Sequence, residues 1–117
     1  MLVPLLLAGC ATQFSNLTPH QQPRNAENLY PVEVRFDTRQ SSLRWDSIQP
    51  YVLVGEQSYP MTQVPRMRNR WECLLPVTAA TESVRYRYKF DYLYNAFGGP
   101  KPDTAFSPLY SLRVTEK

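Results

Sequence analysis

The run 84-VRYRYKFDYLY-94 decides the fold, because eleven residues alternate without a break. Val84, Tyr86, Tyr88, Phe90, Tyr92 and Tyr94 share one face, and Arg85, Arg87, Lys89, Asp91 and Leu93 share the other. Side chains of a strand point to opposite faces in turn, so the run predicts a strand of roughly 35 Å with one dry and one wet side. A row of tyrosines on one strand face belongs to a core, with its hydroxyls reaching the sheet margin. The opposite face, Arg85, Arg87 and Lys89, is a candidate basic surface for an anionic or acidic partner, and Arg66, Arg68 and Arg70 lie near it in sequence. Three like charges on alternate positions repel, so Glu33 or Glu72 on a neighbouring strand is expected to offset them.

The same period recurs on either side. Val32, Val34 and Phe36 alternate with Glu33, Arg35 and Asp37, and Gln49 to Val54 reads as a further strand. Gly55-Glu56 is short enough to fold that strand back onto Gln57 to Met61 as a hairpin. Arg70 to Val77 sets Trp71, Cys73, Leu75 and Val77 on one face, and Pro76 places it at a sheet edge or ends it. Tyr110 to Thr115 is a last strand, with Tyr110, Leu112 and Val114 inward. Between it and the tyrosine strand, Asn95 to Pro108 carries Gly98-Gly99 and three prolines and reads as a long loop. These segments predict an all-β chain: an antiparallel β-sandwich of six to eight strands in the immunoglobulin-like manner, spanning residues 29–117. Residues 11–28 are polar, carry Pro19 and Pro23 and show no period, so they read as a flexible tether containing the only histidine, His20.

Met1 to Gly9 is apolar throughout, and the run from Leu2 to Ala8 is too short to span a bilayer, which takes about 20 residues. Its length suits a secretory leader ending in small residues, so residues 1–9 are expected to be a signal peptide. Leu7-Ala8-Gly9-Cys10 resembles the lipobox of bacterial lipoproteins. That resemblance implies acylation of Cys10, cleavage before it and anchoring in a membrane of the cell envelope. Ala11, in place of the aspartate that retains enteric lipoproteins at the inner membrane, leans toward the outer one.

A second resemblance rests on Tyr59-Pro60-Met61, Trp71-Glu72 and Tyr86-Arg87-Tyr88-Lys89-Phe90-Asp91. In that order the runs are similar to early-set immunoglobulin-like modules that bind glycogen and starch. Such modules commonly carry a Gly-x-Phe-Asn-x-Trp stretch, where this chain reads Val54-Gly55-Glu56-Gln57-Ser58-Tyr59. The resemblance makes Trp71 a framework residue and admits polysaccharide as a ligand. Trp45, in the apparent loop SSLRWDS, is the candidate stacking residue or else a plug for the open end of the sandwich. Tyr94, Asn95 and Phe97 form a second candidate platform.

Composition narrows the rest. The chain of 117 residues carries a net charge of +3 spread without a dense basic stripe, which argues against nucleic acid. If lipid blocks Cys10, Cys73 has no disulfide partner and reads as a small buried hydrophobe. No nucleophile with a base, spaced carboxylate pair, metal motif or phosphate loop is present, so no catalytic residue, metal or cofactor is expected. The expected role is a non-catalytic envelope module that docks a partner protein, with carbohydrate binding as the alternative.

Overall fold

The computed structural model describes residues 12–116; Cys10 and the leader lie outside them. The described residues form ten strands: β1 (Thr12–Asn16), β2 (Gln21–Pro23), β3 (Leu29–Thr38), β4 (Leu43–Val54), β5 (Gln57–Pro60), β6 (Thr62–Gln63), β7 (Arg70–Pro76), β8 (Ser83–Ala96), β9 (Gly99–Phe106) and β10 (Tyr110–Thr115). They pack as two sheets, one ordered β1-β3-β7-β6 and the other β2-β10-β8-β4-β5, with β9 also paired to β8. Every pairing is antiparallel except β2 on β10. This is the immunoglobulin-like order, four strands facing a sheet built on β4, β8 and the β9–β10 edge.

The predicted alternation sorts as expected. Tyr30, Val34, Phe36, Val52, Leu75, Tyr86, Tyr88, Phe90 and Leu112 are fully buried between the sheets. Each contributes about 1.5–3 kcal/mol of apolar transfer relative to exposure. Phe90 is the hub, its ring 4.8 Å from Phe36, 5.1 Å from Phe14 and 5.1 Å from Trp71. The hairpin between β4 and β5 forms as predicted, with Gly55 at φ +59° as the first central residue of its two-residue turn.

Three expectations are corrected. Residues 12–23, read as part of a tether, supply β1 and β2, so the first strand is divided between the two sheets. Their polar side chains serve as internal hydrogen-bond partners, which is why no apolar period marks them. Thr18 Oγ1 accepts the Glu33 N–H at 2.9 Å, Tyr88 Oη donates to Asn16 Oδ1 at 2.6 Å, and the buried Gln22 donates to the Pro31 carbonyl at 2.9 Å. The supposed loop of residues 95–108 contains β9, which runs back along β8 from Ala96 opposite Gly99 to Lys89 opposite Phe106. Positive φ at Gly98 (+95°) and Gly99 (+128°) makes that reversal possible.

The prolines of β9 fit because of where their nitrogens point. Asn95 donates its N–H to Ser42 O and Leu93 donates to Ser47 Oγ, both at 2.8 Å and both toward β4. Pro100 and Pro102, opposite these two residues, therefore turn their nitrogens away from the ladder, toward the outer edge. At Thr104, the next outward position, the N–H is taken by Asp103 Oδ1 at 2.8 Å.

The third correction concerns Trp45, which lies within β4 and not in a loop. The ladder with β8 breaks between Arg44 and Gln49, so the intervening residues bulge opposite Tyr92. Ser47 Oγ bridges the gap, accepting from Leu93 and donating to Arg44 O at 2.6 Å.

Candidate functional site

The outer face of the β5-β4-β8-β9/β10 sheet gathers the charges that the sequence placed on β8. Register sets Pro60, Tyr51, Lys89 and Phe106 in one row across four strands, and Leu53 beside Arg87 in the next. Arg85 stands opposite Ser111 of β10, and Arg113 of the same strand lies beside Gln21 of β2. The Arg87 guanidinium lies 4.7 Å over the ring of Phe106, which is 51% exposed, and Lys89 Nζ sits 5.8 Å from the Tyr51 ring. Cation–π contacts of this kind hold a long side chain in place while leaving its donors free.

The expected charge offset comes from a different residue. Glu33 pairs with Arg70 at 3.5 Å in the other sheet, and Glu72 belongs to that sheet too. On this face Asp91 meets Lys89 at 3.6 Å. Arg85, Arg87 and Arg113 are exposed and make no ion pair among the described residues. The result is a surface with free guanidinium donors, two aromatic rings and the 55%-exposed Leu109 at its margin. It can receive carboxylates and apolar side chains together.

Trp45 and Tyr94 are half-buried against the core, while Asn95 and Phe97 stand exposed at the end of the β8–β9 hairpin. The Trp45 ring stacks parallel to Trp71 at 6.5 Å and is covered by the Arg68 guanidinium at 4.6 Å. That cation–ring pair borders a small hollow of about 280 Å³ lined by Asp37, Thr38, Trp45, Arg68 and Asn69.

Comparison with protein-family models, with curated proteins and with solved structures gives no match.

Two larger open hollows lie elsewhere among the described residues. One, of about 700 Å³, is lined by the β4 bulge, Asp91 and the Pro102–Thr104 stretch. Two of its three acids are engaged: Asp91 accepts from Thr104 Oγ1 at 2.7 Å and Asp103 from Tyr92 Oη at 3.3 Å, while Asp46 is exposed. Burial raises the Tyr92 phenol, and nearby Asp103 adds to the effect. The other, about 630 Å³, lies between Tyr59–Pro60 of β5 and Pro31, Glu72 and Leu74 of the facing sheet. Cys73 borders it, but burial pushes its thiol up to about 11, which keeps it protonated and a poor nucleophile at neutral pH. Among the described residues no group of three or more His, Cys, Asp or Glu is placed to hold a metal.

Sequence reading identified Arg85, Arg87 and Lys89 but missed Tyr51, Leu53 and Phe106. For Tyr51 and Leu53 a signal existed, since QPYVLV alternates around the buried Val52. Phe106 needed β9 to be recognised as a strand.

Proposed function

We propose that this chain is a non-catalytic, lipid-anchored protein of the cell envelope whose sandwich docks an acidic partner protein through the outer face of the β8 sheet. The observation that carries the docking is the exposure of Arg85 and Arg87, without an ion pair among the described residues, beside Tyr51 and Phe106 on a single strand-built surface. Aromatic residues and arginines are the types enriched at protein interfaces, and unpaired like charges select a partner of opposite sign. The lipid anchor rests on Leu7-Ala8-Gly9-Cys10, and an outer-membrane position on Ala11.

Crosslinking from native membranes tests the docking. A specific envelope protein should be captured by the natural chain and lost, by about tenfold or more, in the Arg85→Glu, Arg87→Glu double variant. Equal capture by both chains would defeat the reading, and so would capture of soluble glucan in place of protein. Mass spectrometry of the chain from its host tests the anchor, since an intact, unmodified Met1 would remove it.

A further inference from the structure

We propose that the end of the sandwich carrying Thr12 is a lipid-facing surface, and that the tip of the β8–β9 hairpin enters the interface of an anionic bilayer. The inference deepens the reading of Cys10 as the lipid anchor. Its starting point is the loss of the expected tether. Thr12 is already paired with Thr38, and only Ala11 separates it from Cys10. Two residues span at most about 7 Å, so an anchor at Cys10 holds this end of the sandwich against the membrane whatever path the chain takes.

Strand direction fixes what shares that end. The β3–β4 connection follows Thr38, Leu43 pairs with Tyr94, and the hairpin turns at Phe97 and Gly98. The β6–β7 connection lies there too, because Asn69 O accepts from Phe36 N–H at 2.9 Å. These segments present Arg39, Arg44, Arg66, Arg68 and Lys101, all exposed. At the opposite end charge is mixed: Glu27, Glu56 and Glu82 lie in the connections, Glu116 pairs with Arg24 at 3.6 Å, and Arg85 and Arg113 stand close by on β8 and β10. At the anchor end Arg39, Arg44, Arg66, Arg68 and Lys101 outnumber the acids Asp37, Asp46 and Asp103, so that end carries a net positive charge. That excess draws the anchor end toward a surface of anionic phosphates.

Phe97 gives that end its apolar point. It is 102% exposed at the hairpin tip, with Met67 on the neighbouring connection 36% exposed. Phe14 and Phe90 touch at 5.1 Å and mark a common level in the two sheets. From that level Thr12 is two residues away, about 7 Å, and Phe97 is seven residues away, about 23 Å. The tip thus reaches roughly 16 Å beyond Thr12 and past the farthest point at which Cys10 can stand. Burial of 5–10 Å into the headgroup region is what interfacial apolar groups reach, and the hairpin has that length to spare.

The test uses the full chain, acylated and reconstituted in phosphatidylethanolamine vesicles containing phosphatidylglycerol. A fluorophore is attached through Phe97→Cys, and in a second preparation through Glu56→Cys. The Phe97 probe should shift to the blue and be quenched by spin-labelled lipid, while the Glu56 probe stays aqueous. An aqueous Phe97 probe on chains that still sediment with the vesicles would overturn the proposal and leave the anchor intact. An unmodified Cys10 in the host would remove the anchor alone. The full-length Cys10→Ser chain should bind the anionic vesicles about 25-fold more weakly once Arg39 and Arg44 are both replaced by Gln. Equal binding to phosphatidylcholine alone would overturn the charge argument.

Discussion

Replacing Thr18 by Val tests whether residues 12–23 belong to the folded body. The Thr18 hydroxyl accepts the Glu33 N–H at 2.9 Å, donates to the Glu33 carbonyl at 3.2 Å and lies 3.2 Å from Tyr88 Oη. Valine keeps the shape and removes all three contacts. The Glu33 carbonyl still receives Leu17 N–H at 2.9 Å and Tyr88 Oη at 3.2 Å, so the acceptor side is covered. The Glu33 N–H is not covered, and an orphaned donor in this setting costs about 1–3 kcal/mol. A loss of about 2 kcal/mol is expected, equivalent to a fall in Tm of about 8 °C for a domain of this size. Urea unfolding followed by tryptophan fluorescence should show a midpoint lower by about 1 M with an unchanged slope. Thr18→Val and Tyr88→Phe should also be non-additive by 0.5 kcal/mol or more, on the order of couplings in one network. A change below about 0.5 kcal/mol for Thr18→Val, the usual range of an exposed site, would refute the integration of this segment.

Gly55→Ala should cost about 1 kcal/mol in the same urea titration. Nothing lies within 4 Å of the added methyl, so the loss reports the +59° φ alone, and a neutral substitution would discount the turn. In the Cys10→Ser chain, Cys73 should react with a disulfide reagent at pH 8 more than about a hundredfold slower than free cysteine and recover full reactivity on unfolding; rapid labelling of the folded chain would contradict its burial. Burial also raises the Tyr88 phenol far above its ordinary value, although the Thr18 bond opposes this. The unfolded chain ionises that group near pH 10 and the folded one does not, so stability is complete below pH 10 and falls above it by about 1.4 kcal/mol per unit. Alkaline unfolding should be blunted in Tyr88→Phe, and titration of Tyr88 alongside exposed tyrosines in the folded protein would exclude the effect.

Strands buried on one face were legible because alternation is a local signal. Val32 to Phe36 and Val84 to Tyr92 sort to the core as their sequence requires, and Gly55 marks its own turn. Edge strands follow a different logic. β1 and β2 are held by hydrogen bonds from Asn16, Thr18 and Gln22 to residues between 9 and 72 positions away. No hydropathy period ties those polar side chains to their partners. β9 offers two prolines and a single half-buried apolar residue, Ala105, so only its register to β8 reveals it as a strand. The Trp45 bulge is hidden for the same reason, since the slip exists only relative to β8. At the candidate site the arginines were readable from β8 alone, whereas their aromatic neighbours became visible when three strands were set side by side.

The outer border of β9 bears on how many copies can share a crowded surface. An extended two-stranded arm ordinarily invites a like arm to zip onto it, and chains held side by side would grow continuous ribbons from such seeds. Here two imino nitrogens and one occupied amide leave the border without outward donors at three successive positions. The border is thereby blunted against strand-to-strand pairing with a second arm.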